Sequence, residues 1–199
     1  PSPVFATIVK RFLEEQMYIR NAIDSDLDNI LFVLDKRFGH GKEVDLVRAL
    51  LEDPSAKPIL SLIAIKDHQA VGYILFTAAH LAKSKDTNAI SILSALAIIP
   101  SAQNQGIGGK LIESGLQILS DSGVDLVFVT GLPNYYSQYG FCSVCKTGIS
   151  VPFLISGECS ETWMVQTLYP SLMSSFSGKV VCCDELKKAK YWGKISRPI

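Results

Sequence analysis

Three glycines, Gly106, Gly108 and Gly109, sit between an apolar run that stops at Pro100 and an amphipathic run that starts at Ile107. A strand, a glycine-rich turn and a helix in that order form a place for an anion. The first turn of a helix leaves backbone N–H groups without intrahelical partners, and its dipole adds positive potential. Glycines then let a phosphate reach the main chain without Cβ atoms in the way. The stretch Leu93–Leu119 therefore points to a phosphorylated ligand. A second cluster lies downstream, where Tyr135, Tyr136 and Tyr139 fall between Asn134 and Gly140-Phe141.

Two common phosphate motifs fail on inspection. A Walker A loop needs glycine where Asn104 stands and Ser or Thr where Leu111 follows Lys110. The dinucleotide fingerprint needs a third glycine at Leu111 and belongs to the first βα unit of a chain, whereas three or four strand-like runs precede this one. A nucleotide-binding protein is disfavoured on both counts.

What remains is Gln103-Asn-Gln-Gly106-Ile-Gly108, preceded by Leu96-Ala-Ile98-Ile-Pro100. Together with Asn134 to Phe141 it resembles the GNAT superfamily of acyl-CoA-dependent N-acetyltransferases. The first signature of that family is Arg or Gln, two residues, Gly, one residue, then Gly or Ala. In the second, an Asn and a Tyr precede Gly-Phe, the Tyr four positions before the Gly, which is Tyr136 here. Leu132-Pro133-Asn134 makes the chain most similar to a group of bacterial predicted acetyltransferases. The likeness covers Tyr18 to Phe141 well and, more loosely, the strands through Cys183.

The resemblance implies an α/β (α+β) fold: a mixed central sheet of about six to seven strands flanked by helices, with parallel strands splayed at the cofactor site. It implies acetyl-CoA as co-substrate and no metal. The backbone of Leu96, Ala97 and Ile98 is expected to pair with the pantetheine arm like an added strand. Gln103, Asn104, Gln105, Gly106, Ile107, Gly108 and Gly109 are expected to hold the pyrophosphate through their amides, with Lys110 as a nearby charge. Gln103 replaces the frequent Arg, which removes one charge-assisted contact. Asn134 matches the residue that hydrogen-bonds the cofactor arm, with a helix N-cap as its alternative role. Tyr136 and Tyr139 are both assigned to the cofactor cleft.

Tyr136 matches the family's general acid. After an amine attacks the thioester, the departing thiolate needs a proton; a thiol has a reference pKa of about 8.5 and a phenol about 10, so a phenol close to sulfur can supply it. The base is unassigned. The run Ala89–Ile99 holds no carboxylate, only Ser91 and Ser94, and water relays to Glu43, Asp45 or His80 stay open. The acceptor is a small-molecule or peptide amine. It is expected near Phe38-Gly-His40-Gly-Lys42, the segment Ala79–Asn88 and the C-terminal strands, none of which carries an acidic cluster suited to a polyamine or aminoglycoside.

These residues need a scaffold, and hydrophobic spacing supplies one. Tyr18–Arg20 suits a strand, and Asp24-Ser-Asp-Leu starts a helix that ends near Gly39. A second helix runs from about Glu43 to Asp53-Pro54. Ile59–Lys66 and Ala70–Thr77 form a hairpin around Asp67-His68-Gln69. The low-charge run Ala89–Ile99 is expected to be a central strand. The helix after the glycines ends at Ser122-Gly123, and Asp125–Thr130 follows as a parallel neighbour of the central strand. Tyr135–Tyr139 is a short helix capped by Gly140, and strands are expected near Ser143–Val151, Thr162–Leu168 and Lys179–Cys183.

The chain of 199 residues reads as an appended amphipathic helix or linker over 1–16 and one domain over 17–199. A composition of 48% hydrophobic and 19% charged residues excludes disorder, and the net charge of zero supplies no global field for nucleic acid or an anionic membrane. No run is long enough to span a bilayer. Five cysteines without a secretory segment point to reduced thiols in a cytoplasmic protein, packed rather than metal-binding despite the CxxC spacing of Cys142 and Cys145. A monomer or homodimer is expected. The competing reading is a non-catalytic acyl-CoA sensor or interaction module, motivated by Gln103 and the missing carboxylate.

Overall fold

The computed structural model describes residues 17–82, 89–152, 162–169 and 177–191. The proposed N-terminal helix or linker, most of the connection 82–88 and the chain's last eight residues lie outside the described residues.

The first half follows its hydrophobic spacing closely. Strand β1 (Tyr18–Asn21) leads through a short turn at Asp24–Asp26 into α1 (Leu27–Phe38), which buries Ile30, Val33 and Leu34 and ends on Gly39 at φ 74°. Asp26 is buried and takes both guanidinium nitrogens of Arg20, one at 2.8 Å, so the entry to α1 is fastened to β1. Helix α2 (Lys42–Glu52) follows and buries Val47 and Leu50.

Strands β2 (Leu60–Lys66) and β3 (Gln69–Leu81) form the hairpin. The loop is tighter than the three polar residues expected: Gln69 pairs with Lys66, leaving only Asp67 and His68, both at positive φ (50° and 61°). A two-residue loop with both φ values positive matches the twist of the flanking strands, and here it is made without glycine. Strand β4 (Ala89–Ile98) pairs with β3, α3 (Ile107–Asp121) crosses over, and β5 (Val124–Thr130) lies parallel to β4.

After the short helix α4 (Pro133–Tyr136) the chain departs further from expectation. The strand expected over Ser143–Val151 is two fragments, β6 (Cys142–Ser143) and β7 (Ile149–Ser150). Local hydrogen bonds break it: Ser143 Oγ accepts from Cys145 N, and Thr147 Oγ1 donates to the Val144 carbonyl at 2.8 Å. Side chains of this kind offer the backbone an alternative to a ladder. Strands β8 (Trp163–Thr167) and β9 (Gly178–Cys182) complete the described residues.

Among the described residues the main sheet runs β1-β2-β3-β4-β5-β8-β6, and β9 and β7 extend it at the far end of β3 to nine strands, more than the six to seven expected. Helix α3 packs on β2, β3, β4 and β5, while α1 packs on β3 and β4. Phe76, Phe128, Trp163 and Leu34 are fully buried between these layers. No described helix is long and apolar enough to cross a membrane.

Candidate functional site

Two irregularities in β4 open the sheet. Its pairing with β5 stops at Leu93–Val129, although β4 continues to Ile98. Its pairing with β3 slips at Ser94, which is bulged out between Leu93 and Ala95. Bulges of this kind bend a strand and re-aim its side chains. The edge Ser94–Ile98 consequently faces a gap rather than a partner strand, and each end of that gap opens into a cleft.

At the Ile98 end lies the glycine turn. Pro100–Ala102 forms a short 3-10 turn, Asn104 sits at φ 59°, and Gly106 caps α3 at φ 76° without any side-chain hydrogen bond to the first turn. The cleft, about 230 Å³, is bordered by Ile98, Ala102, Gln103 and Asn104, by Gly106 to Gly109, and by Tyr135, Gln138 and Tyr139. The tyrosines explain two glycines. A Cβ on Gly108 would stand 2.6 Å from the Tyr135 hydroxyl, and one on Gly109 would stand 2.6 Å from the Tyr139 hydroxyl. Among the described residues no charged side chain lines this cleft, so an anion there would meet main-chain amides and phenols.

The individual expectations divide. Gln103 borders the cleft, but its amide donates to the Ile98 carbonyl at 3.2 Å, tying the turn to the end of β4. Gln105 is turned outward, donating to the Ser101 carbonyl and accepting from Lys66 at 2.8 Å. Lys110 borders a separate depression with Met17, Ile19, Glu113 and Ser114. Asn134 is exposed and borders neither cleft. It is not an N-cap either, because Pro133 takes the first helical position and Leu132 holds the cap.

At the Leu93 end lies a second cleft of about 160 Å³. Its floor is Leu93, Ser94, Ala95 and Leu96 of β4 with Val129 and Thr130 of β5; its wall is Leu34 and Phe38 of α1 with Glu43, Leu46 and Val47 of α2. Tyr136 closes it. Its ring is 2% exposed and stands edge-on to Tyr135 and Phe141, with centroids 5.1 and 5.8 Å away. Burial, followed by the neighbouring phenols Tyr135 and Tyr139, pushes its pKa well above the ordinary value, so it carries its proton at any working pH.

Adjacent tyrosines thus serve different clefts, Tyr135 the glycine turn and Tyr136 the cleft beside α2. The acceptor residues were the least accessible from sequence. Of the loop after α1, Phe38 borders the cleft, while His40 is exposed and paired with Asp35. Of the carboxylates left open as relays, Glu43 borders it and Asp45 does not; His80 does not either. Thr130 was not foreseen at all. Its Oγ1 is buried and has no hydrogen-bond partner among the described residues.

The described cysteines line neither cleft. Cys182 and Cys183 are buried free thiols, as expected of packed sulfur, and burial pushes Cys182 up to about 11; Cys142 is also a free thiol but is exposed, against that expectation. Cys145 departs from the expectation of reduced thiols, being disulfide-bonded. Among the described residues no group of three or more His, Cys, Asp or Glu side chains is arranged to hold a metal ion.

Comparison with known proteins agrees with this architecture. Residues 27–141 match the model of the acetyltransferase (GNAT) family. An uncharacterised N-acetyltransferase of Escherichia coli K12, YjhQ, is 42% identical over 162 residues, which span 80% of this chain and 88% of that protein. Among solved structures, the E. coli GNAT family N-acetyltransferase YhbS in complex with CoA superimposes with a TM-score of 0.78 at 23% identity, over 87% of this chain and 93% of that one. A Brucella melitensis GNAT acetyltransferase in complex with acetyl-CoA gives 0.67 at 24% identity, over 86% and 99%. The chain belongs to the acetyltransferase (GNAT) family and is an acyltransferase.

Proposed function

We propose that residues 17–199 act as one domain that moves the acetyl group of acetyl-CoA directly onto a primary amine, with Tyr136 as the acid. The observation that carries this reading is the strand edge Ser94–Ile98, which runs unpaired from one cleft to the other. The glycine turn would receive the pyrophosphate on the amides of Gln103–Gly109, with Tyr135 and Tyr139 beside it. Leu96, Ala97 and Ile98 would hold the pantetheine arm as an added strand, delivering the thioester to the cleft that Tyr136 closes. The cofactors bound to YhbS and to the Brucella enzyme support that choice of ligand.

The amine nitrogen attacks the thioester carbonyl carbon, the C–N bond forms and the C–S bond breaks. Sulfur leaves with the bonding pair and takes the Tyr136 proton, and the phenolate regains a proton from the nitrogen as the amide forms. A phenol held neutral by burial is suited to this, because the thiolate appears in the same dry cleft where its own basicity is raised. Calorimetric titration with acetyl-CoA and mass-spectrometric detection of an acetylated amine test the reading. Binding near micromolar with product formation is expected; an absence of acetyl-CoA binding contradicts it. Binding without transfer to any amine would favour the sensor alternative.

A further inference from the structure

Helix α2 has two sets of neighbours. Through Glu43, Leu46 and Val47 it forms a wall of the cleft that Tyr136 closes. It also carries the end of the described chain, because the short turns Glu185–Lys187 and Ala189–Tyr191 both pack on it. Leu186, in the first of these turns, is buried. Lys190, in the second, lies close enough to Asp45 in the first turn of α2 to feel its charge.

The fastening is specific. Asp53 follows the last residue of α2 and is buried. Its Oδ1 accepts from the Ser55 amide at 2.8 Å and from the Ser55 hydroxyl at 2.7 Å, while Oδ2 accepts from the Glu185 amide at 2.9 Å. Ser55 Oγ in turn accepts from the Asp184 amide at 2.8 Å. Burial pushes the Asp53 carboxyl up, but the hydrogen bonds from Ser55 and Glu185 outweigh it and hold the group below its ordinary value, so it is charged at neutral pH. Hydrogen bonds to a buried carboxylate are stronger than neutral ones, and removing one partner strands the other.

The same segment reaches the cleft floor. Cys183, buried just past the end of β9, is hydrogen-bonded through its thiol to Thr77 of β3, and Thr77 Oγ1 lies 2.8 Å from Ser94 Oγ. Thr77 is fully buried, and Ser94 is the bulged residue of the floor. Residues Cys183 to Glu185 thus carry one link to the floor and another to the wall. Anchoring a chain end would need only one of them.

Resting on the acyl-transfer reading above, we propose that the segment Cys183–Glu185 is a brace that fixes the spacing between the α2 wall and the β4 floor of the cleft that Tyr136 closes, with Asp53, Ser55 and Thr77 as positioning residues. Amine and thioester must meet in that cleft within a fraction of an ångström of the reactive geometry, so the spacing bears on transfer. The glycine turn is fastened separately, by Gln103 to the Ile98 carbonyl, so acetyl-CoA binding is insensitive to the brace.

The test compares the parent with Asp53→Asn, Ser55→Ala and Thr77→Val. Hydrogen–deuterium exchange reads the wall, calorimetry reads acetyl-CoA affinity, and mass spectrometry reads kcat and KM for whichever of methylamine, 2-phenylethylamine, spermidine and a lysine-containing peptide the parent acetylates fastest. In Asp53→Asn and Ser55→Ala the amides of α2 should exchange at least about tenfold faster while those of α3 and β5 do not change. All three variants should raise the amine KM or lower kcat enough to cut kcat/KM about tenfold, with the acetyl-CoA dissociation constant within about twofold of the parent. Ser55→Ala removes a single hydroxyl and keeps the test open should Asp53→Asn not fold.

A merely structural tie would lower the melting temperature and leave the amine kinetics unchanged, and that result overturns the proposal. Unchanged exchange in α2, or faster exchange spread evenly over the fold, overturns it as well; in each case acyl transfer by the parent still stands. Acetyl-CoA binding by the parent with no transfer to any of these amines removes the role in transfer. No acetyl-CoA binding by the parent overturns the underlying reading too.

Discussion

The two clefts are built in contrasting ways. The one at the glycine turn is local: Ile98 to Gly109 supply most of it, and only Tyr135, Gln138 and Tyr139 come from elsewhere. The one beside α2 is assembled at a distance, from α1, α2, β4, β5 and the Tyr136 ring. Among the described residues the first presents backbone amides and no charge, while the second presents side chains and one carboxylate. A backbone cradle can hold the same ligand in many sequences, whereas a wall of side chains can change its ligand one residue at a time.

Substitutions can break this division of labour. After removal of the Tyr136 hydroxyl itself, the largest effect is expected at Gly131, where a Cβ would stand 2.5 Å from Tyr136 Cε2. Gly131→Ala should displace the ring and lower turnover roughly a hundredfold, as misplacing a catalytic group by an ångström does, while acetyl-CoA binding is kept. Steady-state kinetics with parallel calorimetry measure both. Gly108→Ala should do the opposite, pushing Tyr135 away from the turn and weakening acetyl-CoA binding about tenfold, with a smaller effect on turnover at saturation.

A control remote from both clefts is Asp26→Asn. The Arg20 guanidinium holds the Asp26 carboxyl at about 2, below its ordinary 3.8. A depressed carboxyl stabilises the fold fully above the unfolded value and loses that contribution as pH falls from about 4 through about 2. With Arg20 partly exposed, the loss in the variant is about 1 kcal/mol at neutral pH, or roughly 2–4 °C in melting temperature, with kinetics untouched. The smallest effect is a gain: Gln103→Arg should tighten acetyl-CoA binding a few-fold by adding a charge to an uncharged cleft, most visibly at low salt.

The same contrast governs what could be read from the chain alone. The turn at Gly106, Gly108 and Gly109 was legible because a strand, glycine turn and helix are written in consecutive residues. So were α1, β4, α3 and β5, whose hydrophobic periods are long and unbroken. Tyr136 borders a cleft, and its spacing to Gly140-Phe141, which singled it out, is local too. Side-chain direction is not local: the outward turns of Lys110 and Gln105 depend on β1 and on Lys66, residues far away in sequence. Asn134 missed the cap because Pro133 had already claimed the first helical position. Thr130 carried no signal, since an orphan hydroxyl exists only once β5 parts from β4. The strand expected after Ser143 failed for a different reason, local hydrogen bonds that outcompete a ladder.

The central claim is that one tyrosine closes the chemical cleft without serving the cofactor cleft. Tyr136→Phe tests it most directly, with kcat measured on an accepted amine and acetyl-CoA affinity measured by calorimetry on the same protein. A fall in kcat of about a hundredfold or more is expected, with the dissociation constant for acetyl-CoA within about twofold of the parent. An unchanged kcat, or a loss confined to acetyl-CoA binding, would contradict it.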